Sequence, residues 1–236
     1  MNWGIDEYSI KARFYPSIIV LIPMISLAIY YLTNFELYYH YLTALSVAGL
    51  FTFILAQLGR DRGKIKEVQL FQYFGGKPTT QILRHRDAFL DTNTKKRYHS
   101  ILSQKLELRI PTEIEENDDA LNADGIYDSC AKYMISKTRD TNAYYLLFKE
   151  NISYGFRRNL WGMKSWSIII IIITLFIHLI FATNIFSDFI FTESEIGLIA
   201  FLFFLLLFWI FIITRNWIKI AAFAYAERLY ENLNNS

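Results

Sequence analysis

The clearest pattern along the chain is the separation of long apolar runs from polar segments. Four runs contain no Asp, Glu, Lys or Arg, and they cover residues 15–33, 41–58, 165–183 and 196–214. A helix of about 20 apolar residues crosses a bilayer, and a backbone surrounded by lipid must satisfy its own hydrogen bonds, which favours helices. The pattern therefore predicts an all-α membrane protein with four transmembrane helices, paired into two hairpins.

These runs divide the chain into four parts. An N-terminal segment and the first hairpin cover residues 1–58, an inserted domain covers 59–164, the second hairpin covers 165–214, and a tail covers 215–236. We expect the tail to continue the fourth span as a helix into the cytoplasm.

Local signals in the inserted domain predict mainly helices. Pro78 and Thr79 are typical of a helix start, and we expect that helix to run through the basic residues that follow. Further helices are predicted from Thr92 or Asn93 to about Leu106, from about Asp119 to Arg139, and from Thr141 into the third span, with a capping box from Thr112 to Glu115. One short strand is predicted near residues 68–74.

The positive charges are distributed unevenly. All 24 Lys and Arg lie outside the two loops that close the hairpins, residues 34–40 and 184–195, and the charged residues of those loops are acidic. Cytoplasmic loops of membrane proteins are enriched in Lys and Arg. The distribution predicts that both termini and the inserted domain lie in the cytoplasm. The single cysteine, Cys130, then lies in a reducing compartment.

The sequence contains no recognisable catalytic motif: no Walker loop, nucleophile elbow, HExxH or CxxC. The run GGKPTT at residues 75–80 resembles a phosphate loop only superficially, because Pro78 separates the lysine from the threonines. We interpret it as a turn before a helix. His85 and His99 have no third ligand at the spacing of a metal site. We therefore expect no enzyme activity, no cofactor and no metal.

Residues 82–100, ILRHRDAFLDTNTKKRYHS, concentrate positive charge away from the predicted spans, whose own flanking charges already suffice for orientation. Helical spacing places Arg84 near Asp87 and Lys95 near His99, so part of this charge is expected to be paired internally. The remainder is typical of a surface that binds phosphates and stacks bases, although a solvated surface stays an alternative. The candidate ligand-binding residues are Arg84, Arg86, Lys95, Lys96, Arg97, Tyr98 and His99.

The second apolar run carries a stripe of candidate pore residues. At about 100° per residue, Thr43, Ser46, Leu50, Phe53 and Gln57 fall within one sector of a helix. A stripe that is polar at both ends and apolar between them suits a pore wall in an oligomer, with Leu50 and Phe53 as a dewetting gate. Ordinary packing between helices is the alternative.

The third run carries a second set of polar residues. Ser167, Thr174 and His178 share one side of the predicted helix. Such groups commonly form hydrogen bonds between membrane helices. An ionisable residue inside a span is also a candidate functional site, so His178 is a second pore candidate.

Several segments of the inserted domain resemble a known family. FGGKPTTQILRHRD, TKKRYH, KTRDT and LLFKENISYGFRRNLWGMK, within residues 74–164, are similar to the membrane effectors of Hailong anti-phage defence systems. The resemblance implies a homotetrameric ion channel of the bacterial inner membrane with a cytoplasmic crown. It further implies that the crown binds a single-stranded DNA oligomer made by a partner nucleotidyltransferase, and that loss of this DNA opens the channel and arrests growth.

The residues alone thus predict a membrane protein, in contact with lipids, whose cytoplasmic domain binds an anion. The resemblance adds the expectation of a channel gated by a nucleic-acid signal. Two alternatives remain open: a non-conducting membrane scaffold or sensor, and a four-span effector gated by a cyclic nucleotide, which would use a similar basic surface.

Overall fold

The computed structural model describes residues 6–32, 38–182 and 191–234, with side chains described throughout except at 32, 38–45 and 234. All regular structure within these ranges is helical. The first elements are α1 (Glu7–Ser9), a π-helical turn (Ile10–Phe14), α2 (Tyr15–Leu32), α3 (Tyr38–Phe74), α4 (Pro78–Gln81) and α5 (Thr92–Leu106). They are followed by α6 (Glu113–Asp118), α7 (Ala120–Lys137), α8 (Tyr145–Gly162), α9 (Lys164–Ala182), α10 (Glu193–Leu207), a second π-helical turn (Phe208–Ile212) and α11 (Arg215–Glu231).

The helices form two compact units. The membrane unit comprises Met1–Glu67 and Gly155–Trp217, and the head unit comprises Val68–Tyr154 and Ile218–Ser236. The predicted tail is therefore divided between the two units: its first residues, up to Trp217, belong to the membrane unit, and the rest, with most of α11, belongs to the head unit.

Within the described residues, three helices are long and apolar enough to cross a membrane: Glu7–Tyr31, Lys164–Ala182 and Glu193–Ile212. They correspond to the first, third and fourth predicted runs, and they indicate a multi-pass membrane protein. The run at 41–58 forms the beginning of α3 and is not among these three helices. Because its side chains up to residue 45 lie outside the described residues, a fourth span stays a prediction.

The three candidate spans pack against one another through a buried stripe on α9. Ser167, Ile171, Thr174 and His178 lie at alternating spacings of four and three residues, and all four are buried. This is the seam spacing of helices that cross at a shallow angle, and α9 contacts both α2 and α10. The predicted polar side of the third run is thus the side that faces neighbouring helices.

The candidate span Glu193–Ile212 does not continue into the tail as one helix, so the prediction of a continuous helix is wrong. The chain breaks at Ile213, where φ is −80° and ψ is 80°, before α11 begins at Arg215. The ammonium of Lys164 donates hydrogen bonds of 2.9 Å to the carbonyls of Ile210 and Ile213. A helix end leaves carbonyls without helical partners, and a cation satisfies them well.

Two helices of the membrane unit approach each other at glycine residues. A methyl group at Gly162 of α8 would lie 2.7 Å from the backbone nitrogen of Gly63 on α3. One turn earlier on α3, a methyl group at Gly59 would lie 2.5 Å from the sulfur of Met163. Small residues four positions apart allow this kind of close contact between helix backbones.

Buried polar groups surround the glycine contact. The guanidinium of Arg158 donates to the carboxylate of Glu67 at 2.9 Å, and the amide of Asn159 donates to the carbonyl of Ala12 at 2.7 Å. Ala12 lies within the first π-helical turn. These bonds connect α8 to α3 on one side and to the N-terminal helix on the other.

The head unit is organised around α7, which contacts α4, α5 and α6. Tyr127, Cys130 and Met134 of α7 are completely buried. The tail helix α11 is also part of this core: the wholly buried Tyr230 donates to the carbonyl of Thr79 at 2.9 Å. The end of α11 is therefore a structural element of the head unit.

Helix boundaries in the head unit follow the capping signals closely. The capping box from Thr112 to Glu115 is confirmed at the start of α6. Asp91 caps α5, one residue before the predicted cap, and Asp119 caps α7. The predicted strand at 68–74 is wrong, because these residues belong to α3. The helix beginning at Pro78 ends at Gln81, so its predicted extension through the basic residues is also wrong.

The glycine contact predicts a clear difference between two single-methyl variants. Gly162→Ala should lower the unfolding midpoint of the detergent-solubilised protein by about 5 °C, because overpacking a tight contact costs about 1–3 kcal/mol. Gly49→Ala is the control, since a methyl group there has no neighbour within 4 Å. Thermal unfolding followed by tryptophan fluorescence measures both, and equal midpoints would contradict the proposed role of the contact.

Candidate functional site: a basic loop in the head unit and a stripe on α3

The segment GGKPTT forms a turn followed by a helix start, as predicted. Gly75 and Gly76 have φ values of +91° and +140°, which side chains rarely adopt. A methyl group at Gly76 would also lie 2.6 Å from the guanidinium of Arg84. Pro78 then occupies the first turn of α4. The two glycines thus shape the turn and make room for an arginine.

Arg84 is held inside the head unit by a bidentate ion pair. Its Nε and Nη2 donate to the two carboxylate oxygens of Asp124 on α7 at 2.7 and 2.6 Å, and its Nη1 donates to the carbonyl of Gly75 at 2.8 Å. The side chain is 12% exposed. Its predicted neighbour on a helix, Asp87, is not its partner, because the chain between α4 and α5 is a loop.

Glu116 holds the loop between α4 and α5, residues 82–91, which we call the basic loop. This carboxylate is buried, and it accepts hydrogen bonds from the backbone of His85 at 2.7 Å and from the hydroxyl of Tyr127 at 2.8 Å. Burial by itself raises the pKa of Glu116, but these bonds outweigh burial and hold the pKa below its usual value. A charged, buried carboxylate therefore fixes the loop on α7.

Two of the candidate ligand residues on α5 also bind the loop. Nε2 of His99 donates to the carbonyl of Leu83 at 2.7 Å, and the ammonium of Lys95 donates to the carbonyls of Asp87 and His85. Both side chains are buried. Burial lowers the pKa of His99 to about 4, so the imidazole is neutral at pH 7.

The remaining candidate residues differ in exposure. Lys96 and Arg97 are exposed on α5, and Arg86 is 44% exposed with its Nε 3.7 Å from Glu116. Arg97 lies over the ring of Tyr98 at 5.6 Å, but Tyr98 itself is only 3% exposed. Arg84, Lys95, Tyr98 and His99 are thus directed into the unit. Arg86, Lys96 and Arg97 are the candidates that present charge to solvent.

The two histidines of the loop region lie together but bind backbone carbonyls. Their ring centroids are 4.8 Å apart, and Nε2 of His85 donates to the carbonyl of Pro111 at 2.9 Å. Within the described part of the chain, no three His, Cys, Asp or Glu side chains converge in a way that would hold a metal ion.

The candidate pore stripe lies on an uncovered part of α3. Leu50 and Phe53 are 59% and 53% exposed, and Ser46 and Gln57 are exposed as well. Thr43 lies outside the residues whose side chains are described. Between residues 46 and 58, Ala56 is the buried side chain. The stripe is therefore uncovered in a single chain, together with neighbouring apolar faces.

His178, the second pore candidate, is completely buried within the membrane unit. Its Nε2 donates to the carbonyl of Glu195 at 3.3 Å, and its Nδ1 accepts from the hydroxyl of Tyr31 at 2.9 Å. The ring thus joins α2, α9 and α10. This is the interhelical hydrogen-bonding role that is common for polar residues in spans.

Sequence reasoning missed the importance of Glu116 and Asp124. The acidic run at 113–119 reads as an exposed helix start, and most of its members are exposed. One signal was present: the buried residues Ala123, Tyr127 and Cys130 follow Glu116 by 7, 11 and 14 residues, which is helical spacing. The pairing of Asp124 with Arg84 depends on tertiary contacts and had no local signal.

Comparison with known proteins gives no assignment. No family model matches the chain, and neither curated proteins nor solved structures include a match. The resemblance to Hailong effectors therefore stays an expectation. The functional proposal rests mainly on the positions and contacts of the described side chains.

The buried neutral His99 predicts that the head unit loses stability in mild acid. The pKa of His99 is about 4 in the folded unit and about 6.5 when unfolded, so the unfolded state binds the extra proton between these values. The contribution of neutral His99 to the stability of the head unit is fully present above about pH 6.5, and it decreases as the pH falls towards 4. Between pH 7 and pH 5 the loss should be about 2 kcal/mol.

The buried thiol of Cys130 is a native reporter of this loss. Its labelling by dithiodipyridine in moderate urea requires opening of the head unit, and the opening free energy can be compared at pH 7 and pH 5. The variant His99→Gln keeps a donor for the carbonyl of Leu83 but does not titrate. In this variant the difference in opening free energy between pH 7 and pH 5 should largely disappear. An equal difference in the variant and in the wild type would refute the assignment.

Proposed function

We propose that this protein is an oligomeric membrane channel whose conductance is controlled by an anionic nucleic-acid strand bound to the head unit. The observation that carries the proposal is the exposure of residues 46–58 of α3. An apolar segment that also exposes the side chain of Gln57 fits poorly as an isolated helix in lipid, because polar groups there are costly. Association of several copies would turn this face towards a shared axis.

The stripe has the composition of a gated pore wall. Leu50 and Phe53 lie between the polar residues Ser46 and Gln57, so a ring of each would be dry when narrow and wet when slightly wider. In this arrangement α3 is a fourth transmembrane helix, and both termini and the head unit are cytoplasmic. The bacterial inner membrane and a homotetramer are the location and assembly that the sequence resemblance supports.

The proposed ligand surface consists of Arg86, Lys96 and Arg97. Few cations per subunit suffice, because a symmetric oligomer repeats them around its axis and sums their potential. Arg84, Lys95 and His99 then have a supporting role, since their hydrogen bonds fix the loop that carries Arg86. A single-stranded DNA oligomer supplied by a nucleotidyltransferase is the proposed signal, and channel opening on its loss would arrest growth in anti-phage defence.

Liposome flux tests the channel and its gate. Leu50→Asn and Phe53→Asn should each increase ion flux several-fold over the wild type, because both ease hydration of the narrow segment. Phe51→Asn is the matched control, since Phe51 is also exposed but lies about 100° around the helix from Leu50. No flux from any variant at a confirmed oligomeric state would favour a scaffold or sensor. Altered flux only in His178→Ala would move the pore to α9.

Binding of a fluorescent single-stranded DNA oligomer tests the ligand surface. The variant Arg86→Gln/Lys96→Gln/Arg97→Gln should bind more weakly, and its slope of log affinity against log salt should be smaller by about 2, since each phosphate contact on a single strand contributes about 0.7. Lys137→Gln/Arg139→Gln/Lys149→Gln removes equal charge elsewhere in the head unit and should behave like the wild type. Unchanged affinity in the first variant would exclude this surface, and displacement by a cyclic nucleotide would favour the alternative ligand.

A further inference from the structure

Two cations of the membrane unit lie over tryptophan rings near the start of a candidate span. The guanidinium carbon of Arg62 is 4.9 Å from the ring centroid of Trp166, and the ammonium of Lys66 is 5.3 Å from that of Trp161. Trp166 lies in the first turn of the candidate span Lys164–Ala182. Tryptophan at the end of a span is typical of the level of lipid headgroups.

The two cations have the same charge and lie one helical turn apart. Like charges at this spacing destabilise a helix, and the pKa of Lys66 is lowered by burial and by the charge of Arg62. In the described part of the chain, neither cation has a carboxylate within ion-pair distance. The nearby carboxylate of Glu67 is bound to Arg158 at 2.9 Å.

The tryptophan rings hold the cations without neutralising them. A ring face attracts a cation by about 0.5–2 kcal/mol but supplies no hydrogen-bond acceptor. The N–H groups of Arg62 and Lys66 therefore lack an anionic acceptor, and one phosphate group has enough oxygen atoms to bind both.

An exposed apolar residue neighbours Arg62 on the surface of α3, because residues three apart on a helix lie side by side. Ile65 is 69% exposed, three residues after Arg62 and one before Lys66. A soluble phosphate or a nucleic-acid backbone would gain nothing from contact with the apolar side chain of an isoleucine at this position. A phospholipid has both an anionic phosphate and an apolar chain, so the combination favours lipid.

We propose that Arg62 and Lys66, positioned by Trp166 and Trp161, bind the phosphate of an anionic phospholipid. This site is independent of the proposed nucleic-acid surface, because it uses other residues in the other unit. It also gives a specific role to cations that otherwise serve only to orient the chain in the membrane.

The test is native mass spectrometry of the full-length protein in detergent, titrated with phosphatidylglycerol or phosphatidylcholine. Arg62→Gln/Lys66→Gln should weaken phosphatidylglycerol binding about twenty-five-fold, the product of roughly fivefold for each charge. Arg60→Gln/Lys64→Gln is the matched control: it removes two cations at the same spacing on the same helix, and neither lies over a tryptophan ring in the described structure. It should retain most of the affinity.

The charge-preserving variant Arg62→Lys/Lys66→Arg should bind phosphatidylglycerol nearly as well as the wild type. This result would show that the double Gln variant binds weakly because it lacks the charges and not because it misfolds. Equal binding of phosphatidylcholine, or equal loss in both double Gln variants, would overturn the site. Displacement of the lipid by millimolar inorganic phosphate would show a free-phosphate site instead, and displacement by a DNA oligomer would assign the cations to nucleic acid. Both results would overturn the lipid proposal, whereas loss of DNA binding in the head-unit variant would leave it unaffected.

Discussion

The close contact between α3 and α8 is the constraint on which the membrane unit depends. At Gly63 and Gly162 the two backbones approach so closely that one methyl group would force a shift. Glycine at a helix crossing lets the two backbones approach, so that packing contacts and hydrogen bonds can form between the helices. Next to this contact, Arg158 and Asn159 of α8 bind Glu67 and the N-terminal helix. The position of the tryptophan rings over Arg62 and Lys66 follows from the same contact, since Trp161 adjoins Gly162 in the chain.

In the head unit, a high density of positive charge is used largely for internal structure. The basic loop has no helix of its own, and it is held by side chains from three helices: Asp124 and Tyr127 from α7, Glu116 from α6, and His99 and Lys95 from α5. The donors of Arg84 and Lys95 are taken up by Asp124 and by backbone carbonyls, so these two cations are unavailable to a ligand in this conformation. Charge counts along a sequence therefore overestimate a binding surface, and the exposed residues of the loop and of α5 set its real extent.

The sequence predicts what depends on local pattern and fails where distant residues decide. Three candidate spans follow from composition, and the capping box at Thr112 follows from a spacing of three residues. The helix expected beyond Gln81 does not form, because the backbone of His85 and Arg86 donates to Glu116, about thirty residues further along the chain. The strand expected at 68–74 is overridden by the continuation of α3. For the candidate site, charge density located the segment correctly, but burial of Arg84 and His99 depends on α7 and could not be deduced locally.

The buried state of Cys130 has a practical consequence. The chain contains one cysteine, it is enclosed by the head unit, and burial raises the pKa of its thiol to about 11. The reactive thiolate is therefore scarce at neutral pH, and the sulfur is inaccessible while the unit is folded. Mild thiol oxidants should leave Cys130 of the folded protein unmodified. Spectroscopic probes can then be attached to cysteines engineered on its surface without first replacing the native residue.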